Sequence, residues 1–451
     1  MSLKSDLRWA LVAAALVVVA AVAWLLLRDR AAPVVQESAD PLPTPVATIE
    51  LLAADPPETL APSPSPFPAP TERPATPEPT ALPTATEAEG QAVFMPLVDQ
   101  DDAAAGQTEP ELAAATPTAA PEAVPQKEKA APRPMSLADW PALTLPEWPR
   151  PVGDNGFCIH NITEQYYHDE NVDLQISRLK QMGMHWTLML YGDENQLMRA
   201  APRFRDAGIT VVWRKMLRPY ESYYGWGRDI ELLKQLGVEP YMQVYNEPSL
   251  PAEWTGGHRS DRALFLDNFI SAVEQIYNAG GYVGLQFVSD DWLVAALDEI
   301  KARGGEKVFG RTFLVPHPYG LNHPPDYTED PNGVLGFLHQ ADVVREQLGF
   351  VPPMIAGEGG WKWNATDDNR FPPIDATLHR DYHVALFDWF RTGTLSNGQP
   401  LPDYLFAFCP WLLSSKLDDS AWFDSFAGDH TPTIEAVQSM SDFVRQFNWQ
   451  R

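Results

Sequence analysis

Residues 209–289 contain ITVVWRKML (209–217), DIELLKQLG (229–237), PYMQVYN (240–246), RALFLDNFISAVEQIYNAG (262–280) and YVGLQFVS (282–289). The odd-numbered pieces are short, β-branched or aromatic, and bounded by turn residues, as strands are. The two between them place apolar residues at helical spacing and close on glycine, the usual helix stop. Strand, helix, strand, helix, strand is the rhythm of a parallel sheet with crossover helices. Working outward, further strands are expected at 156–160 (GFCIH), 185–191 (HWTLMLY), 311–317 (RTFLVPH), 353–358 (PMIAGE) and 404–411 (YLFAFCPW), with another helix at 172–183. Eight strands alternating with about eight helices over roughly 300 residues predict one α/β domain, a (β/α)8 TIM barrel spanning 148–451. A doubly wound open sheet would normally place a glycine-rich phosphate turn after its first strand. That position here reads Cys158-Ile159-His160-Asn161-Ile162.

The chain before 148 has a different composition. The protein has 451 residues, 44 prolines and a formal charge of -27. Of those prolines, 24 fall within 31–147, along with 18 acidic and four basic residues. Such a segment buries too little apolar surface to offset its ordering entropy, so a disordered Pro/Ala/Thr/Glu-rich linker is expected. Its apolar patch, Val93 to Val98, reads as a sticky spot in the tether. Residues 1–30 contain the uncharged run Trp9–Leu27, flanked by Lys4, Arg8, Arg28 and Arg30. At 1.5 Å per residue it spans about 28 Å, close to a bilayer's hydrocarbon core. Trp24-Leu25-Leu26-Leu27 continues the run beyond a possible small-residue cleavage site, so an uncleaved single-pass anchor is predicted. A Thr/Pro-rich stalk after it places the barrel outside the cell.

The acidic balance excludes a general nucleic-acid binder, which needs a basic surface to neutralise phosphates. Cys158 and Cys409 are too few for a cysteine scaffold. Their strands, the first and eighth, are neighbours in a closed barrel. A location outside the cell permits a disulfide between them, but a cross-strand bridge demands specific geometry, so two buried free thiols are the expectation. The ten histidines show no metal-ligand spacing, so neither a metal nor another cofactor is expected.

Chemistry in such barrels gathers at the carboxyl ends of the strands. Two residues stand out there. Glu247 and Glu358 close the apolar fourth and seventh strands, where a carboxylate is costly without a purpose. Those strands face each other across the mouth. Two carboxylates in different environments are the acid/base and nucleophile pattern of retaining glycoside cleavage. Asp290 and Asp291 read as the start of a helix, and Trp213, His185, Tyr245 and Trp389 as core.

Val244-Tyr245-Asn246-Glu247-Pro248 and Ile355-Ala356-Gly357-Glu358 together resemble clan A of the glycoside hydrolases, over roughly 154–447. The resemblance implies Glu247 as acid/base, Glu358 as nucleophile and Asn246 as the group holding the sugar 2-hydroxyl. It also implies orienting or substrate-binding roles for His317 and Tyr319, and a sugar platform at Trp411, extended by Trp361 and Trp363. His160 is a further candidate at the rim. No arginine stands near the second strand to support the nucleophile; Arg214 or Arg218 on the third is the substitute. Strict alternation puts Asn246 and Glu247 on opposite faces of the strand, so both reach one site only if the strand end bulges. The expected activity is retaining hydrolysis of an extracellular or cell-envelope oligo- or polysaccharide by a monomer. A non-catalytic carbohydrate-binding or cell-surface protein on a barrel scaffold is the alternative.

Overall fold

The computed structural model describes residues 133–162 and 169–450. The expected anchor and most of the linker lie outside them. Among the described residues no helix is long and apolar enough to cross a membrane. Eight parallel strands follow in sequence order around one sheet: β1 (Cys158–Asn161), β2 (Trp186–Tyr191), β3 (Thr210–Lys215), β4 (Tyr241–Val244), β5 (Tyr282–Leu285), β6 (Thr312–Leu314), β7 (Met354–Ala356) and β8 (Leu405–Phe408). A helix follows each: α1 (Asp169–Gln181), α2 (Glu194–Asp206), α3 (Trp226–Gln235), α4 (Arg262–Asn278), α5 (Asp290–Ala302), α6 (Gly336–Leu348), α7 (Ala376–Thr392) and α8 (Thr431–Met440). A parallel bridge between Phe157 and Phe408 brings the first strand against the last, closing the (β/α)8 barrel.

Alternation along β3 shows how the pattern sorts side chains. Val212 joins the interior cluster of the barrel, while Val211 and Trp213 join the larger core between the strands and helices. Helix α4 packs Phe265, Phe269, Val273 and Ile276 into that core at spacings of three and four residues, and Asp261 caps it by accepting from the Leu264 amide. Each fully buried side chain of this size contributes about 1.5–3 kcal/mol. Asp290 and Asp291 open α5 after the Ser289 cap, as expected. Trp213, Tyr245 and Trp389 are buried; His185 is only half-buried.

Two expectations need correction. Cys158 and Cys409 form a disulfide, with Cα atoms 4.3 Å apart, rather than two thiols. Closing the barrel sets the two residues side by side, both pointing into its interior, and this supplies the geometry that spacing in sequence cannot reveal. The part of the chain packed on the barrel also includes residues before 148. The Met135 amide bonds to the Arg303 carbonyl at 2.9 Å, the Leu143 amide to the Gly310 carbonyl at 2.9 Å, and Arg133 pairs with Glu274 at 2.6 Å. This strap leads to Trp148, whose ring lies 5.0 Å from Tyr282, 6.0 Å from Tyr241 and 6.3 Å from Phe313. Together these rings plug the amino-terminal end of the barrel.

Candidate active site

The opposite end carries the charged groups. β4 ends at Val244, and its continuation leaves strand geometry. Tyr245 has φ 59° and Glu247 φ 36°, both in the left-handed region. The irregularity turns the Tyr245 ring outward into the core, where its hydroxyl donates to the Glu221 carbonyl at 2.7 Å. Asn246 and Glu247 are thereby both delivered to the mouth, which strict alternation forbids. Backbone held in this region costs roughly 1–3 kcal/mol and persists where surrounding contacts impose it. Here the Glu247 amide is held by the Gln286 side-chain oxygen, at the end of β5.

Glu358 arrives after β7 through Gly357. A Cβ at Gly357 would lie 2.5 Å from Val315 and 2.7 Å from Leu188, so no larger residue fits there without displacing the barrel interior. The two carboxylates are buried, Glu247 at 8% exposure and Glu358 at 6%. One oxygen of each, together with a ring nitrogen of His317, lies within 4.8 Å of the others.

Their partners differ. Glu358 accepts from the Arg214 guanidinium at 2.5 Å and from the Tyr319 hydroxyl at 2.9 Å. Glu247 Oε1 lies 2.9 Å from His317 Nδ1, and that nitrogen is 3.7 Å from Glu358 Oε2. Burial alone would raise the Glu358 pKa; its interactions with His317, His160 and Arg214 outweigh that and hold it well below the usual carboxylate range. Arg214 is the permanent cation among them. Burial, then the adjacent Glu358 charge, pushes the Tyr319 hydroxyl well above its ordinary value, so it remains a donor. Burial lowers His160 to about 3, leaving a neutral ring next to Glu358.

Asn246 is fixed on both sides of its amide. Its oxygen accepts from Arg214 at 2.8 Å and from Gln243 at 3.2 Å, and its nitrogen donates to Glu253 at 3.0 Å. Arg214 thus bridges Asn246 and Glu358. Arg218, the other candidate, pairs with Glu253 at 3.0 Å instead. Trp411 is half-buried at the mouth, its indole N–H donating to Asp418 at 2.8 Å.

Two candidates, Trp361 and His160, sit otherwise than expected. Trp361 is fully buried; its indole donates to the His323 carbonyl at 2.8 Å, and it presents no face to a ligand. It packs beneath Gly320, where a Cβ would meet the indole at 2.2 Å, and so supports the segment carrying Tyr319. His160 is also fully buried, with Nδ1 2.9 Å from the Gly357 carbonyl and its ring 4.6 Å from that of Trp411. It backs Glu358 and Trp411 instead of lining the rim. The His317 side chain lies against both carboxylates, with Nδ1 2.9 Å from Glu247 and 3.7 Å from Glu358.

Sequence reading missed Gln243, Gln286 and Lys362. Lys362 Nζ lies 4.8 Å from the Tyr319 ring centre and 5.5 Å from that of Trp411. Inward alternation from Tyr241 marks Gln243 as a barrel residue; nothing in the local pattern marks Lys362. The set Glu247, His317 and Glu358 has donors suited to a metal ion. Arg214 already occupies one Glu358 oxygen, however, and its charge opposes a cation there.

No protein-family model matches the sequence, and no curated protein matches it. Solved structures similar to this chain include the mannanase catalytic domain from Streptomyces sp. SirexAA-E, at 11% identity and TM-score 0.36, covering 72% of this chain and 97% of that one. Another is the endo-beta-1,4-mannanase from Thermotoga petrophila, at 12% identity and TM-score 0.32, covering 63% and 76%. A third is a truncated 3-deoxy-D-arabino-heptulosonate 7-phosphate synthase from Thermotoga maritima, at 11% identity and TM-score 0.32, covering 64% and 86%. Likeness at this level carries no argument about chemistry, which rests on the site itself. What the chain itself shows is a (β/α)8 barrel with Asn246-Glu247 after β4 and Glu358 after β7.

Proposed function

We propose that the barrel is a retaining glycoside hydrolase in which Glu358 is the nucleophile and Glu247 the acid/base. The observation that carries this reading is the pair of buried carboxylates whose oxygens come within 4.8 Å, in unlike surroundings. Retaining enzymes hold their carboxyl groups about 5–5.5 Å apart, and inverting ones about 6.5–9.5 Å, because a water must fit between.

In this mechanism Glu358, kept ionised by Arg214 and Tyr319, attacks the anomeric carbon. Glu247 gives its proton to the departing glycosidic oxygen. A glycosyl ester on Glu358 results. Glu247, now a carboxylate, takes a proton from water as that water displaces Glu358, and the product keeps its configuration. His317 positions Glu247 throughout. Asn246, locked by Arg214 and Glu253, holds a sugar hydroxyl, and Trp411 offers the sugar a flat apolar face.

The substrate is an oligo- or polysaccharide, or another O-glycoside, met outside the cell. The apolar run Trp9–Leu27 and the Pro/Thr-rich stalk support a membrane tether, and the Cys158–Cys409 disulfide suits an oxidising compartment. The test is hydrolysis of a panel of aryl glycosides by Glu247→Ala with and without azide. Dinitrophenyl leaving groups need no proton, so azide should restore turnover and yield a glycosyl azide of retained configuration. An azide of inverted configuration, or full activity without azide, would contradict the assignment.

A further inference from the structure

A cleft of about 280 Å³ opens at the mouth between the ends of β4, β5 and β6 and the start of α6. Glu247, His317 and Tyr319 border it; Glu358, Asn246 and Trp411 lie outside. In a retaining site the acid/base stands beside the departing oxygen and the nucleophile beneath the sugar that stays. A cleft that reaches Glu247 and not Glu358 is therefore on the leaving-group side.

Much of its wall is apolar, formed by Leu250, Phe287, Val288, Pro316, Leu321 and Phe337. Several polar groups around it are already engaged, although Gln340 Oε1 and His317 Nε2 have no hydrogen-bond partner among the described residues. Tyr319 donates to Glu358, Asp290 meets His339 at 2.7 Å, and Asp330 accepts from the Asn332 amide at 2.9 Å. The Gln340 side-chain nitrogen donates to the Phe287 carbonyl at 3.0 Å. A sugar ring placed here would bring several hydroxyls against a wall that is largely apolar, at about 1–3 kcal/mol for each one left unpaired.

Leu321 is a second, independent sign. Its φ is 51°, a conformation that asparagine and glycine adopt readily and leucine rarely does. The backbone here is fixed by its neighbours, with Gly320 N–H on the Gly360 carbonyl at 2.7 Å and His323 N–H on the Gly320 carbonyl at 2.9 Å. A leucine at this strained position puts a branched apolar side chain on the cleft, where an unstrained residue would put a polar one or none.

We infer that this cleft receives an apolar leaving group, an alkyl or aryl alcohol, so that the enzyme's substrates are glycosides of apolar aglycones in preference to sugar–sugar linkages. The inference rests on the retaining reading above. On cleavage the aglycone oxygen takes the Glu247 proton and departs as the free alcohol, while the sugar remains on Glu358.

The test takes the sugar that labels wild-type protein fastest from a panel of 2-deoxy-2-fluoro glycosyl fluorides. A series of that sugar's methyl, butyl, hexyl and octyl glycosides is then compared with its disaccharides. Expected is a rise in kcat/KM of about fourfold per added methylene until the cleft is filled, with the alkyl glycosides ahead of every disaccharide. Leu321→Asn, which suits the backbone angle and keeps the fold, should flatten the series, as should Val288→Asn. Wild-type protein should also bind 2-naphthol saturably, and Leu321→Asn at least fivefold more weakly. A flat series in the wild type, a preferred disaccharide, or slopes untouched by both substitutions would overturn the inference while labelling by the fluoride leaves the retaining reading standing. No labelling by any fluoride would sink both.

Discussion

The two ends of this barrel are built from the same eight strands and could hardly differ more. At the amino-terminal end Trp148, Tyr241, Tyr282 and Phe313 fill the opening with rings, and Tyr241 donates to the Pro149 carbonyl at 2.6 Å. At the carboxyl end Arg214, Glu247, His317 and Glu358 occupy equivalent inward positions, almost as deeply buried. Apolar packing at the first stabilises the fold by removing area from water. Charges at the second have been desolvated and are tolerated because each has a partner. Stability and chemistry are thus separated along the barrel axis, and substitutions at the two ends should report on different measurements.

The largest expected effects are at the mouth. Glu358→Gln should abolish turnover. It also leaves Arg214 buried without its carboxylate, so some stability is lost as well. Glu247→Ala is the cleaner probe: a loss of about 10²–10⁴ in kcat on substrates with poor leaving groups, with little change in urea unfolding. If Glu247→Ala instead unfolds the protein at full specific activity, the separation of roles fails.

Substitutions elsewhere in the barrel should do the reverse. Removing both Cys158 and Cys409 opens a link across 251 positions, worth up to about 5 kcal/mol in the chain-entropy account. Trp148→Ala should cost about 3–5 kcal/mol. Both should leave kcat unaltered at a temperature where the variants remain folded; a large fall in kcat there would show that the two ends are coupled.

Arg214→Gln probes the boundary between the two roles. Without the guanidinium, the carboxyl of Glu358 should titrate at a higher pH, so the acid limb of kcat/KM should move up. An unmoved acid limb would mean that Arg214 does not set the charge of Glu358.

Acid should weaken the fold through its buried neutral histidines. His160 and His383 are lowered by burial to about 3, against 6.5 for a free imidazole. The unfolded chain therefore takes up protons first. Stability is full above pH 6.5 and declines below it by about 1.4 kcal/mol per pH unit for each such histidine. Urea midpoints between pH 7 and 4 should fall, and His383→Gln should lessen the slope. A smaller effect concerns the strap: 133–451 should unfold about 1–3 kcal/mol later than 148–451, given the lost side-chain and backbone hydrogen bonds. Equal stability would make residues 133–147 dispensable.

Much of this was legible in the sequence. Short β-branched and aromatic runs marked all eight strands, and glycine-terminated apolar patterns marked three of the helices, since both are local consequences of backbone geometry. The carboxylates were visible because an acid closing an apolar strand is improbable without a use. The departures were non-local. Trp361 reads as a rim aromatic, but its indole is drawn under Gly320 by a loop whose path depends on β6. The disulfide depended on closure of the whole barrel. The turn at Tyr245 to Glu247 has no glycine to announce it; surrounding contacts impose the positive φ on ordinary residues, and propensity is silent there. Composition likewise placed residues 133–147 with the linker, although their backbone is tied to Arg303 and Gly310.

The most direct test of the account is to trap the reaction midway. Wild-type protein incubated with a 2-deoxy-2-fluoro glycoside bearing a good leaving group should gain one glycosyl mass, and peptide mapping should place it on Glu358. A label on any other residue, or an anomer of inverted configuration released from substrate, would contradict it.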